Sequence, residues 1–324
     1  MAGILVFGSL SDGELAGATL EAVAAAQAVG QTPVQGALIG HDLAAAAGLF
    51  ARAALSGLFV SDHPQLTPYI AERHAAAAAA IIGRAAPDLV LFPQTAETAE
   101  WVPLLAGRLG VPLATGCTGL AFKGGTLIAT RPVCGGAVQA EYEVDGPLRF
   151  ATLAPGAFAP VPTTAACVPI MPVAVPDLVS RVALIEEKPE SAAAGPRLKS
   201  AKIIVSGGLG LGAKENWHLV EATATALGAA VGATRAVVEL GWVPHSQQIG
   251  FSGQKVSPDL YLAIGISGAV HHLAGLTGAR AIVAINKDQE ASIFRVARFG
   301  VVGDAKEIVP AFTARVRELR ATQG

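Results

Sequence analysis

Short apolar runs rich in β-branched residues alternate with alanine-rich helical stretches along most of this chain. That alternation limits the folds open to it. Ile4–Phe7, Thr32–Ile39, Gly57–Val60 and Asp88–Phe92 read as buried strands. Glu14–Ala28, Pro68–Arg84 and the stretch from Pro93 towards Gly110 read as helices. A strand that is apolar at every position is covered on both faces, and strands separated by helices pair in parallel. The expectation is an α/β protein of two domains, each a mainly parallel sheet flanked by helices. From Gly119 to Ala154 the pattern changes. Thr126–Pro132, Ala137–Val144 and Arg149–Leu153 read as an antiparallel meander, with Gly124-Gly125 and Asp145-Gly146 at the turns.

Glu186–Ser200 is the most polar stretch, with Glu186, Glu187, Lys188, Glu190, Arg197 and Lys199 set among two prolines and a glycine. It reads as a linker, 186–200, between an N-terminal domain, 1–185, and a second domain, 201–324. The second domain repeats the strand–helix pattern. Ala201–Ser206 is a strand and Glu215–Leu227 a helix that Gly228 stops. Arg235–Glu239 and Leu260–Gly265 read as strands, followed by a helix over Gly268–Leu276. Strands Ala281–Ile285 and Phe299–Val302 and a closing helix, Ile308–Leu319, complete the series.

Composition excludes several classes. Of 324 residues, 52% are hydrophobic and only 15% charged, the reverse of a disordered chain. The 23 basic residues are offset by 25 acidic ones, which leaves no electrostatic footprint for nucleic acid. The two long uncharged stretches do not read as membrane spans. Phe150–Pro176 carries Pro155, Pro160, Pro162, Pro169, Pro172 and Pro176, and Leu260–Ala279 is broken by Gly265, Ser267, Gly268, His271 and His272. Cys117, Cys134 and Cys167 form no metal or disulfide spacing, and Met1–Phe7 enters a strand with no basic leader. A reduced, cytoplasmic setting is expected. So sparse a charge also fits a surface partly covered by a partner.

Three segments could carry chemistry. Ile204–Ala213 runs a strand into a glycine-rich turn. Gly208-x-Gly210-x-x-Ala213 can be read as a phosphate-approaching dinucleotide turn or as a tight strand–helix turn. The nearest strand-end acid, Glu239, lies further on than the roughly 20 residues a dinucleotide site wants. Gly265-Ile266-Ser267-Gly268-Ala269-Val270-His271-His272 repeats the strand–turn–helix pattern. Its adjacent histidines point about 100° apart on a helix and cannot chelate one metal together. Gly232–Pro244 reads as a strand with charges at both ends, Arg235 and Glu239, where the arginine alone could be a surface cap. No nucleophile elbow, zinc-protease helix or P-loop occurs, so hydrolysis and phosphoryl transfer have no support.

Together with Val205–Gly208, Gly210-Leu211, Glu215-Asn216, Val243-Pro244, His272–Gly275, Ile282–Asp288, Ile293-Phe294 and Gly303-Asp304, these blocks are collinear from residue 201 onward. In that order they resemble the electron-transfer flavoprotein alpha subunits. The resemblance implies a Rossmann-like second domain that holds FAD. It implies an electron carrier rather than a stand-alone enzyme, with no metal and no catalytic residue of its own. Its partners would be a beta subunit facing the first domain, flavin dehydrogenases such as those of fatty acid oxidation, and a quinone-linked or other acceptor.

By the same resemblance, Arg235 lies over the isoalloxazine, His272 near its N1/O2 edge and Ser252 near N5. Thr234, Ile249, Gly250, Phe251, Ser252, Ser267, Gly268, Ala269, Val270 and His271 contact the flavin or its phosphates. Asn286 and Asp304 lie towards the adenosine. A fixed cation near N1/O2 favours the reduced, more negative flavin. The chain departs from the family pattern at Leu209, where an arginine is usual, at Phe251-Ser252, where Gln-Thr is common, and at His271, often a glutamine. Lys214 or Lys255 could supply the missing charge. Two alternatives follow from these departures: a nicotinamide- or nucleotide-binding module without flavin, and a specialised, bifurcating paralogue.

Overall fold

Ile4–Phe7 (β1) is fully buried because it sits at the centre of a sheet covered on both faces. The structure is a computed structural model that describes residues 3–11, 13–136, 138–177, 180–187, 198, 201–276 and 278–322. The chain divides into two units, 1–188 and 189–324.

In the first unit, β2 (Leu10–Ser11) and β3 (Glu14–Leu15) form a small ribbon, and α1 (Gly17–Val29) follows it. The expected helix from Glu14 therefore starts three residues late, its first residues being used in the ribbon. The remaining elements are β4 (Val34–Gly40), α2 (Ala44–Phe50), β5 (Leu58–Asp62), α3 (Ala71–Ala85), β6 (Leu89–Pro93), α4 (Ala96–Leu109), β7 (Leu113–Cys117), β8 (Gly119–Lys123), β9 (Thr126–Val133), β10 (Val138–Val144), β11 (Arg149–Leu153) and β12 (Ile170–Pro172). The main sheet runs β12-β5-β4-β1-β6-β11-β7, parallel throughout.

The meander is β10-β9-β8, so Arg149–Leu153 does not belong to it. Phe150, Ala151, Thr152 and Leu153 are all buried, which suits insertion between β6 and β7 and not an edge with one wet face. Ala137, expected at the start of the second meander strand, lies outside the described residues. On one face of the main sheet Phe7, Phe92, Phe150 and Trp101 interlock, with Phe7 and Phe92 stacked at 5.1 Å.

The second unit holds β13 (Ile203–Gly207), α5 (His218–Leu227), β14 (Ala230–Ala233), α6 (Arg235–Glu239), β15 (Leu260–Ile264), α7 (Val270–Leu273), β16 (Ile282–Asn286), β17 (Phe299–Val302) and α8 (Ala305–Ala321). Its parallel sheet is ordered β14-β13-β15-β16-β17, or 2-1-3-4-5 counted within the unit. In such a doubly wound sheet the chain reverses direction of travel between the first and third strands, and a crevice opens there at their carboxyl ends.

Two sequence expectations change here. Arg235–Glu239 is a helical turn, and the strand is the preceding Ala230–Ala233. The Val237-Val238 pair imitates a strand, but Val237 is the inward residue of a helix. The helix expected over Gly268–Leu276 shrinks to Val270–Leu273, because Gly268 takes a left-handed φ of +82°. Most of the expected linker lies outside the described residues; within it, Leu198 is buried in the core of the second unit.

Candidate functional site

The carboxyl ends of β13 and β15 approach backbone to backbone. Gly208 N–H donates to Ile264 O at 3.0 Å and Gly210 N–H to Gly265 O at 2.8 Å. A Cβ on Gly210 would stand 2.6 Å from Gly265 Cα, so neither turn admits a side chain at the crossing. The glycines of this turn spend their N–H groups on protein carbonyls. They serve close packing, which favours the tight-turn reading over a dinucleotide fingerprint.

Beside this crossing lies a cavity of about 810 Å³, towards the upper end of the range for small-molecule sites. Its lining takes in Thr234, Arg235, Ile249, Gly250, Phe251, Ser252, Ser267, Ala269, His271, His272 and Asn286. Eleven of the fourteen residues singled out from sequence thus come together from three strand ends and the Ile249–Ser252 loop. Gly268, Val270 and Asp304 are not part of the lining. Asp304 caps α8, accepting from Lys306 N–H at 2.9 Å; that bond and the nearby Lys306 ammonium hold its carboxyl below the usual range.

His272 is buried between two partners. Its Nδ1 is 3.0 Å from Ile249 O and its Nε2 2.9 Å from the Tyr261 hydroxyl. A carbonyl only accepts, so Nδ1 carries the proton and Tyr261 donates to Nε2. Burial pushes the imidazole down from 6.5 to about 4, the Ile249 carbonyl opposing only in part. His272 is therefore a neutral ring at pH 7. His271, the next residue, is exposed, with its ring edge-on to Phe251 at 6.2 Å between centroids.

The turn from Ile249 to Ser252 is clamped by Phe251 N–H to His271 O at 2.6 Å and Gln254 N–H to Gln248 O at 2.7 Å. The Gln248 side-chain amide donates to Ser252 Oγ at 3.1 Å, so the hydroxyl accepts there and keeps its own proton to offer. Asn286 is buried, its amide donating to Ile266 O at 2.9 Å while its oxygen accepts from Asp288 N–H at 3.0 Å. Arg235 Nε donates to Glu239 Oε1 at 2.7 Å, one helical turn along.

The first unit matches the electron transfer flavoprotein domain over residues 4–178, and the second matches the electron transfer flavoprotein FAD-binding domain over 197–277. The chain is 36% identical over 320 residues to the electron transfer flavoprotein subunit alpha of Bacillus subtilis, covering 98% of both proteins. It is 37% identical over 324 residues to the Paracoccus denitrificans subunit alpha, covering 97% of this chain and 99% of that one. The Syntrophomonas wolfei subunit alpha is 32% identical over 318 residues, covering 98% and 100%. The chain belongs to the electron transfer flavoprotein alpha subunits.

In this alpha subunit all of the cavity's described lining except Asn286 and Asp288 falls within the segment that matches the FAD-binding domain, and the residues fit that cofactor. Leu209, Ile249, Phe251 and Ile266 give a flat apolar ligand a wall to lie on, while Ser252 and Arg235 offer donors from the rim. Leu209 is half exposed, and neither lysine expected to replace its missing charge does so: Lys214 reaches away to Gly241 O at 2.9 Å, and Lys255 is not part of the lining. Sequence reading did not assign Gln248, Glu239 and Asp288 to the cavity. Glu239 was legible in principle, since a residue four places after Arg235 shares its face once that segment is read as helix. Among the described residues no helix is long and apolar enough to cross a membrane.

Proposed function

We propose that this alpha subunit pairs with a beta subunit, takes single electrons from flavin dehydrogenases in the cytoplasm and passes them to a quinone-linked or other acceptor. The convergence of eleven sequence-assigned residues on one cavity of the FAD-binding domain carries the reading. Bound FAD supplies the one-electron chemistry; the chain supplies its surroundings. Arg235 faces the flavin with its positive charge, and Ser252, oriented by Gln248, offers a proton in hydrogen bonding to it. Thr234, Ser267 and the Ile249–Ser252 turn hold the ring or phosphates, and Asn286 lies towards the adenosine. His272 keeps the turn in place as an uncharged residue, so charge stabilisation falls to Arg235.

The heterodimer, co-expressed and purified, should show the visible absorption bands of a bound flavin. A heterodimer that lacks them and takes up no FAD on reconstitution overturns the proposal, and equilibrium binding of NADH in its place would favour a nucleotide module. Within the loaded protein, Arg235→Ala should disfavour the first reduction step about tenfold. That is roughly 1.4 kcal/mol, a Coulomb effect scaled down for a guanidinium two-thirds exposed to solvent. Potentiometric titration that leaves the first-electron potential unchanged would remove Arg235 from this role.

A further inference from the structure

Arg235 does not face the cavity alone. Glu239, which lines the same space, accepts from its Nε at 2.7 Å, and the two side chains are 67% and 60% exposed. Arg235 is the single lysine or arginine among the described lining residues, which also include the carboxylates of Glu239 and Asp288. We propose that Glu239 is a redox-tuning residue that acts through Arg235, both aiming its guanidinium and holding back part of its charge from a ligand in the cavity. The inference rests on the reading of this cavity as the flavin site.

Geometry gives Glu239 two effects. Pairing through Nε leaves both terminal amino groups of the guanidinium without a described partner, so the carboxylate turns the donor fork outward. The carboxylate also converts a lone cation into a close dipole, and the potential of a dipole dies away faster with distance than that of a single charge. An ion pair this exposed to solvent is weak, so it holds Arg235 loosely. Negative charge arriving in the cavity can therefore compete with Glu239 for the guanidinium. The amide of glutamine would keep an acceptor within reach of Nε while removing the charge.

The test is potentiometric titration of the FAD-loaded heterodimer, followed by visible absorption, for wild type, Glu239→Gln, Arg235→Ala and the double variant. Glu239→Gln should favour the first reduction step about threefold, a modest Coulomb effect at a solvated site. In the Arg235→Ala background the same change should have a clearly smaller effect, because only the direct field of the carboxylate is then removed. An unchanged potential in Glu239→Gln overturns the inference. So does an equal rise with Arg235 absent, because the carboxylate would then be acting directly and not through its partner. Flavin absorption in all four proteins separates this failure from that of the site itself: a wild-type heterodimer without flavin defeats both readings.

Discussion

Changing Gly265 to alanine should destabilise the second unit by about 3 kcal/mol, from left-handed strain and overpacking together. Gly265 follows β15 directly and holds a φ of +62°, which a residue with a Cβ adopts at a cost of about 1 kcal/mol or more. The added Cβ would also meet Gly210 C and Leu211 N at 2.7 Å. Those atoms are backbone and cannot swing aside. Moving either turn stretches the Gly210 N–H to Gly265 O bond, or the Gly265 N–H to Ile285 O bond, both 2.8 Å. Gly212 is the matched control: its φ is +82°, yet a Cβ there would meet nothing within 4 Å. Gly212→Ala should therefore carry the strain alone. In thermal unfolding followed by circular dichroism, Gly265→Ala should melt about 10 °C lower than wild type, and Gly212→Ala only a few degrees lower. Equal melting temperatures for the two variants would show that the crossing of the turns is not the constraint. A Gly265→Ala protein that folds should also lose flavin, since the crossing forms one side of the cavity.

The parallel sheets were legible because their strands are apolar without a break, as in Ile4–Phe7 and Leu89–Pro93, and only a sheet covered on both faces demands that. Arg149–Leu153 lacks that unbroken signature, since Arg149 and Thr152 interrupt it, and the preceding Asp145-Gly146 turn pointed to a hairpin with its neighbour. Its actual partners, Leu89–Pro93 and Leu113–Cys117, are chosen by the winding of the whole sheet, which no local pattern records. The site divides along the same line. Residues in the turns themselves, such as Thr234, Ser252 and Ser267, were named by the family resemblance, which reads contiguous motifs. The hydrogen bonds between turns could not. Tyr261 reaches His272 from inside β15, and Ile249 reaches it from a different loop, so the protonation state of the histidine is a product of tertiary structure. The Arg235–Glu239 pair stayed hidden for a simpler reason: two valines made a helical turn look like a strand, and on a strand residues four apart do not pair.

Acid should weaken the second unit through His272, well before the carboxylates that stabilise most proteins are protonated. The unfolded chain takes up a proton at this ring near pH 6.5, whereas burial delays uptake in the folded protein until about pH 4. Between those values the unfolded state binds more protons than the native one, so stability falls as pH falls. The contribution is fully present above pH 6.5, declines with a slope approaching 1.4 kcal/mol per pH unit, and is spent near pH 4, a total of roughly 3 kcal/mol. His74, buried in the first unit and also pushed down by burial, adds to acid sensitivity there with the same sign. Comparison with His272→Gln isolates the second unit. The variant should be less stable at pH 7.5, having lost its fit between Tyr261 and Ile249, but its urea midpoint should fall less on moving to pH 5. Parallel loss in both proteins would mean that His272 titrates normally and is not held between these partners. The same geometry bears on redox behaviour. A ring that stays neutral from pH 5 to 8 contributes no titrating charge to the cavity, so pH dependence of the first-electron potential across that range does not arise from His272.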